Sequence, residues 1–300
     1  MKRLFYGGLF IALIGLGMVG CKKENVRQNE VKNTPNEFGI STDGKMLIFK
    51  TLEDYENAVG GESDNRKDDL LQTVNAFKFK NYFTTLTAKS DNENEMDDFF
   101  GQLLNSDGAI QIEDHIYKID LPNEKVFVIE AKNKETDYKD LVIENSYNKK
   151  ISVYSIDDDV LYAVKDGFTE KCGGIGGGED VTSVVDFGKD VRCQGSVKHF
   201  RAGIYFRTTA RFVPLLSGVL YTELEIKGPQ AWAKKRPCGS GSVITSSSGI
   251  KKSGYTQQLW EFYSGARNLN GYYLFARVKC TFNGVTQYST WAGRNINSPY

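Results

Sequence analysis

Apolar and polar positions alternate most regularly late in the chain. Over residues 199–211 the even positions are Phe200, Ala202, Ile204, Phe206, Thr208 and Ala210. The odd ones are His199, Arg201, Gly203, Tyr205, Arg207, Thr209 and Arg211. A period of two with one apolar side predicts a half-buried strand with its basic side outward. Residues 272–282 repeat the pattern, with Leu274, Ala276, Val278 and Cys280 inward and Tyr273, Phe275, Arg277 and Lys279 outward. Residues 220–227 and 255–263 read alike. Asn270-Gly271 and Asn283-Gly284 are hairpin pairs, and 240–249 is a Ser/Gly loop. The expectation over 181–300 is an all-β, antiparallel, sandwich-like domain.

Upstream the period changes. Residues 45–50 predict a first strand, and Thr51 caps a helix whose first turn carries Glu53 and Asp54 against the dipole. Leu70, Leu71, Val74 and Phe77 stand at helical spacing within 68–77, and a third helix over 97–104 stops at the turn residues 105–108. Short apolar runs follow as strands: 109–112 and 115–119 around Glu113-Asp114, then 125–131, 141–143, 151–156 and 160–164. Helices before a meander predict an α+β domain over 43–170. The glycine run 173–178 lacks the Lys-Ser or Lys-Thr and the helix of a phosphate loop, so 171–180 reads as a linker.

The N-terminus carries a different signal. Lys2 and Arg3, an apolar run over 4–19 and small residues before Cys21 make a secretory signal over 1–20. The run is somewhat short for a spanning helix, which needs about 20 residues. Met18-Val19-Gly20-Cys21 resembles a bacterial lipobox, with Met18 where Leu is usual. That resemblance implies a di- or triacylated Cys21, and acyl chains anchor by about 0.8 kcal/mol per buried methylene. Polar residues 21–42 form the flexible tether that such an anchor needs. Lys22-Lys23-Glu24 looks like the signal that sends lipoproteins of Bacteroidota to the cell surface. The implied location is the cell outer membrane, lipid-anchored and surface-facing.

A second resemblance lies further on. Residues 99–112 (Phe-Phe-Gly-Gln-Leu-Leu-Asn-Ser-Asp-Gly-Ala-Ile-Gln-Ile), then Tyr117-Lys118-Ile119, are similar to a segment of uncharacterised lipoproteins of Bacteroidota. So is Met46-Leu47-Ile48-Phe49-Lys50 with Tyr55 after it. This resemblance spans residues 44–165 and implies no activity.

Composition sharpens the division into halves. The net charge is zero, yet residues 41–170 hold 15 Lys and Arg against 28 Asp and Glu, a net of −13. Residues 171–300 hold 17 against 7, a net of +10. Either the halves neutralise each other across an interface or the basic half meets an anionic ligand. Besides Cys21 there are four cysteines, Cys172, Cys193, Cys238 and Cys280, all in the basic half. An oxidising compartment and an even number predict disulfides. Of the three pairings available, Cys172–Cys193 with Cys238–Cys280 joins sequence neighbours and is the expected one. No C-x-x-C knuckle supports zinc.

Catalytic signals are sparse. The two histidines are His115, in a hairpin beside Asp114, and His199. There is no G-x-S-x-G elbow, H-E-x-x-H or Walker loop. Carboxylates cluster at 97–98 and 157–159, where a glycan hydrolase would need two at a defined separation. Residues 91–95 are like a calcium loop but lack its glycine. No cofactor and no metal are therefore expected. The stronger candidate is a basic, aromatic face of Arg201, Tyr205, Arg207, Arg211, Tyr273, Arg277 and Lys279. Guanidinium groups suit sulfate, carboxylate or phosphate, and rings suit stacking on sugars. The functional expectation is a lipoprotein, held in the membrane by its lipid, that binds an anionic or glycan ligand without catalysis. Its rivals are an interaction module for another envelope protein and a carboxylate-dependent hydrolase. Nucleic acid is not expected at that location.

Overall fold

The computed structural model describes residues 37–60, 64–84, 96–144, 148–167, 175–214, 219–235 and 239–296. The expected secretory segment, Cys21 and most of the expected tether lie outside them, as do residues 91–95, Cys172 and Cys238. The chain is mostly β, with several antiparallel sheets and few helices.

The first sheet contains β1 (Ile40–Thr42), β2 (Leu47–Phe49), β3 (Ala109–Ile112), β4 (His115–Asp120), β5 (Lys125–Glu130) and β6 (Ser152–Ser155), in that spatial order. All neighbours are antiparallel except β2 and β3, where Phe49 pairs with Ile112. The crossover between them holds α1 (Leu52–Val59), α2 (Asp64–Ala76) and the single turn α3 (Phe100–Leu103). At α1 the Thr51 hydroxyl accepts from the Asp54 N–H at 3.0 Å, and the Asp54 carboxylate accepts from the Thr51 N–H at 3.1 Å. This reciprocal cap starts a helix that buries Leu52, Tyr55, Ala58 and Val59 along one stripe.

Two short apolar runs expected to be strands are helical. Residues 141–143 close α4 (Lys134–Val142), and 160–164 lie in α5 (Val160–Asp166). Leu141 is the one buried apolar side chain of α4, so the run is the end of an amphipathic turn rather than a pleat. The α5 helix stops at Gly167, which takes the left-handed conformation (φ 64°) that ends helices.

The second half builds two antiparallel sheets. Its strands are β7 (Gly178–Val181), β8 (Val185–Asp186), β9 (Arg192–Arg201), β10 (Phe206–Pro214), β11 (Tyr221–Lys235), β12 (Gly239–Thr245), β13 (Gly249–Gly254), β14 (Gln258–Gly265), β15 (Leu269–Phe282), β16 (Val285–Tyr288) and β17 (Ala292–Ile296). One sheet runs β14-β10-β9-β7, with β8 also on β9. The other runs β12-β11-β15-β16, with β13 on β11 and β17 on β15. Val197, Ala210 and Phe212 from the first meet Leu224, Leu274, Ala276 and Val278 from the second in a common core. The alternation read for residues 272–282 holds on β15, and Asn283 and Gly284 (φ 48° and 78°) form the turn into β16. Asn270-Gly271, by contrast, lies inside β15, and the expected loop 240–249 is largely strand β12.

Residues 199–211 are not one strand but the end of β9, a turn and most of β10. Gly203 carries φ 73° in that turn, and the Ala202 N–H donates to the Tyr205 carbonyl at 2.9 Å. Cross-strand partners are Arg201 with Phe206, Phe200 with Arg207 and Ser196 with Arg211. Odd residues thus pair with even ones, and the facing reverses across the hairpin. Arg201 shares a face with Phe206 and His199, whereas Arg207 and Arg211 share the other with Phe200 and Lys198. Unbroken alternation in the sequence conceals this reversal.

The hairpin tip is also where the halves join. Residues Thr34–Tyr300 form one compact unit. Phe200, Ala202, Ile204 and Tyr205 belong to the same apolar cluster as Phe49, Tyr55, Phe100, Val126 and Val160. Gly203 sits where a Cβ would come within 2.5 Å of Val126 and 2.9 Å of Val160, so the backbone approaches closely. Its N–H and C=O bond to the Ile156 carbonyl (2.8 Å) and the Val160 N–H (2.9 Å). Gly178, expected in the linker, opens β7, and Ile175 is buried in the core of the two sheets.

Cys193 of β9 is disulfide-bonded to Cys280 of β15, which corrects the pairing of sequence neighbours. The two face each other because Cys280 lies on the inner side of one sheet and Cys193 on the inner side of the other. The bond closes a separation of 87 residues and staples the sheets. Replacing Cys193 and Cys280 together by alanine is expected to lower stability by about 2–5 kcal/mol. Urea unfolding would measure it, and an unchanged midpoint would show that the bridge adds nothing to sheet packing.

Candidate functional site

The seven residues singled out from the sequence do not form one face. Tyr205 is fully buried, stacked on Phe100 with ring centroids 4.8 Å apart, because it belongs to the inserted tip rather than to a strand. Arg201 pairs with Asp157 and with Glu124 (2.7 Å). Arg207 pairs with Asp97 (2.8 Å) and Glu261 (2.6 Å). Arg211 is held by Glu179 at 3.0 Å and by the Ser196 hydroxyl at 3.2 Å. Tyr273, Arg277 and Lys279 stand on β15, on the outer side of the opposite sheet.

The charge split between the halves is largely answered inside the molecule. Among the described residues, five ion pairs join them: Arg201 with Asp157 and Glu124, Arg207 with Asp97, Lys67 with Glu261, and Arg267 with Glu56. The innermost part links Lys67, Glu261, Arg207, Asp97 and Ser264. Lys67 reaches Glu261 at 2.5 Å and the Ser264 hydroxyl at 2.9 Å, and stands over the Phe99 ring. Burial pulls the Lys67 pKa down, and Glu261 opposes it. At Arg207 burial also acts against the charge, but Asp97, Tyr205 and Glu261 outweigh it and hold its pKa above the ordinary value. Such pairs are well satisfied, which makes them a structural seam rather than free ligand groups.

His199 is buried between the sheets. Its Nδ1 meets the Thr208 hydroxyl at 2.8 Å and its Nε2 meets the Asn268 side-chain oxygen at 3.1 Å. Burial lowers its pKa to about 4; Arg201 and Arg294 push the same way, while the Asn268 bond opposes. His115 lies against Asp114 at 2.7 Å in its hairpin. Of the acids at 157–159, Asp157 serves Arg201, Asp158 accepts from the Ser155 N–H at 3.0 Å, and Asp159 accepts from the Asn268 N–H at 2.7 Å. Among the described residues no group of acids, histidines and cysteines could hold a metal ion.

Two surfaces keep polar or aromatic groups accessible. On the outer side of β15–β17 the Arg277 guanidinium lies 4.5 Å from the Tyr288 ring centroid and 4.8 Å from that of Trp291. Tyr288 and Trp291 are 50% and 38% exposed, which places large rings at the surface. Lys227 stands 6.0 Å from the Trp291 ring, and Tyr273 and Phe275 adjoin with centroids 5.0 Å apart. Glu225 holds Arg277 at 2.6 Å, and Glu223 pairs with Lys279. Gly228 lies under the Tyr273 ring and Gly293 against the Leu274 carbonyl, where a Cβ would clash at 2.1 Å in each case. The sequence marks Trp291 only as one of three tryptophans in the basic half, with Trp232 and Trp260; it lies between β16 and β17, Tyr288 ends the four-residue β16, and Lys227 adjoins a bulge of β11, so no alternation points to them as a face.

The second surface is a cleft of about 560 Å³ where β7, β9 and β17 meet the first half. Lys198, Arg201, Arg294, Glu179 and the backbone of Gly177 and Gly178 line it. A smaller cleft of about 150 Å³ adjoins along β9, sharing Lys198 and Phe200 and adding Asp97, Asp98, Arg207 and Arg211.

Glu261→Gln is expected to destabilise the protein by roughly 3–5 kcal/mol, because it leaves Lys67 without its carboxylate and Arg207 with only Asp97. Chemical denaturation checks this, and a loss below about 1 kcal/mol, as for an exposed pair, would contradict it. His199 gives a pH dependence. In the unfolded chain it takes up a proton near pH 6.5, in the folded chain only near 4. Its contribution is thus complete above about pH 6.5 and declines as pH falls towards 4, by up to about 3 kcal/mol. Unfolding midpoints at pH 7 and pH 5 should separate less in His199→Gln than in the native chain; equal separations would assign the acid sensitivity to other groups.

No protein-family model matches the chain, and no curated protein matches it. A solved structure, a DUF4848 family protein from Bacteroides thetaiotaomicron, overlaps 84% of this chain and 99% of that one, at 12% identity and a TM-score of 0.18. An overlap that loose carries no argument about fold or function. Among the described residues no helix is long and apolar enough to cross a membrane.

Proposed function

We propose that this protein is a lipid-anchored envelope lipoprotein that binds a glycan without catalysis, through the outer side of the β15–β17 sheet. In this reading residues 43–170 form an α+β domain, residues 181–300 form a β-sandwich joined to it, and Cys21 carries the acyl chains. The anchor places the protein at the outer membrane, facing the surface, with polysaccharide as its ligand.

One observation carries the reading. Arg277 is held between Tyr288 and Trp291 while both rings remain exposed, with Tyr273 and Phe275 beside them. Rings fixed by a neighbouring cation lose little side-chain freedom when a flat ligand settles on them. Pyranose rings present an apolar C–H face that suits such a platform, and Arg277, Lys279 and Lys227 add donors for hydroxyl or acidic substituents. Of the residues expected from the sequence, Tyr273, Arg277 and Lys279 belong to this surface. Arg201, Arg207 and Tyr205 serve the junction of the halves instead.

Affinity electrophoresis in gels containing neutral and acidic polysaccharides tests the proposal. The intact chain should be retarded by at least one of them. Replacing Trp291 and Tyr288 by alanine should weaken retention at least about tenfold, as loss of aromatic anchors does. A chain that migrates freely in every gel, or a double variant retarded like the native one, would sink the idea.

A further inference from the structure

We infer that the cleft between β7, β9 and β17 is a second, separate site, built to hold the oxyanion of a small acidic saccharide on Arg294 and Lys198. This goes beyond the aromatic platform, which lies on the outer side of the β15–β17 sheet and shares none of these residues.

The argument starts from which cations are already answered. Arg201 is engaged by Asp157 and Glu124, and Arg211 by Glu179. Glu179, the acid lining the cleft, is therefore itself occupied. Arg294 and Lys198 line the same cleft, and among the described residues neither forms an ion pair with a carboxylate. Arg294 makes one long contact, from its guanidinium to the Gly177 carbonyl at 3.4 Å. Most of its five donors remain for a ligand, in a planar fork that suits an oxyanion.

The glycines next to it are part of the construction. A Cβ on Gly178 would fall 2.3 Å from the Arg294 guanidinium, and one on Gly177 would fall 2.5 Å from Nε of Arg201. The two bare peptide units let two guanidinium groups lie against one strand end. The run thus has a role at the cleft as well as its length as a connector. Arg294 comes from the opposite sheet: its register partner is Leu274, on the inner side of β15, so it projects between the sheets and emerges at their open end. A volume of about 560 Å³ is right for one or two sugar rings. Arg294, on the side of Gly178 and Arg201, and Lys198, on the opposite face of β9 beside Glu179, border the cleft from two sides and favour a negative group on such a ligand. The shared chemistry is an oxyanion on a sugar, either carboxylate or sulfate ester.

Isothermal titration of the intact chain distinguishes the sources. The probes are a uronic-acid disaccharide, its sulfated counterpart, the neutral disaccharide and inorganic sulfate. Binding of either acidic disaccharide but not the neutral one is expected, weakening as salt is raised. Arg294→Gln should reduce that affinity at least about tenfold, and Lys198→Gln should do so to a lesser extent. Lys198→Gln also serves if Arg294→Gln does not fold. Preference for the carboxylate or the sulfate identifies the group. The variant lacking Trp291 and Tyr288 should bind these probes normally even though it fails on polysaccharide gels, so the two sites fail separately. Three results would overturn the inference: no heat with either acidic disaccharide, equal binding of the neutral one, or native affinity in Arg294→Gln and Lys198→Gln.

Discussion

Insertion of the β9–β10 turn into the first half is the contact on which the rest of the molecule depends. Phe200, Ala202, Ile204 and Tyr205 pack into the apolar cluster formed by α1, α3 and the first sheet. The Tyr55 hydroxyl donates to the Ile204 carbonyl at 3.0 Å, and both backbone groups of Gly203 are paired with the first half. A turn on a sheet edge would ordinarily face water, where its polar backbone is satisfied. Here the partners are protein groups, so the Gly203 backbone is buried with both its polar groups paired.

That insertion explains where the charge goes. Bringing an acidic half against a basic one aligns Asp97, Asp157 and Glu124 with Arg207 and Arg201 around the apolar plug. Close to the core the pairs are desolvated, and their worth is specificity of docking more than net stability. The arginines nearest the seam are thereby taken out of contention as ligand groups. The groups on which the proposed binding rests lie farther out: the exposed rings of Tyr288 and Trp291 around Arg277, and Arg294 and Lys198 bordering the cleft. The internal charge balance thus narrows the list of candidate binding residues as much as any pocket does.

Much of the local structure was legible from pattern alone. The alternation of residues 272–282 gives both faces of β15, including inward Cys280, and the Thr51 cap and the Asn283-Gly284 turn are as expected. These are decided within a few residues, by pleat, capping and turn chemistry. The misreadings share a cause. Residues 160–164 are apolar and β-branched at their start, a run too short to reveal a period, and packing against the first core makes them helix. Residues 199–211 keep their alternation through a tight turn, so the reversal of face between Arg201 and Arg207 leaves no trace in the order of residue types.

The sequence by itself determined the β-rich second half, the inward position of Cys280 and the opposite charge of the two halves, because periodicity and composition act locally or additively. Only the tertiary structure decided that Cys193 is the partner of Cys280, that Tyr205 is core, and that Arg201 and Arg207 neutralise acids of the other half. It also brought Arg294 against Gly178 and Trp291 against Arg277. Each of these is a meeting of residues distant in sequence or on separate strands. Such meetings depend on register and on which sheet faces which, quantities that no single segment encodes.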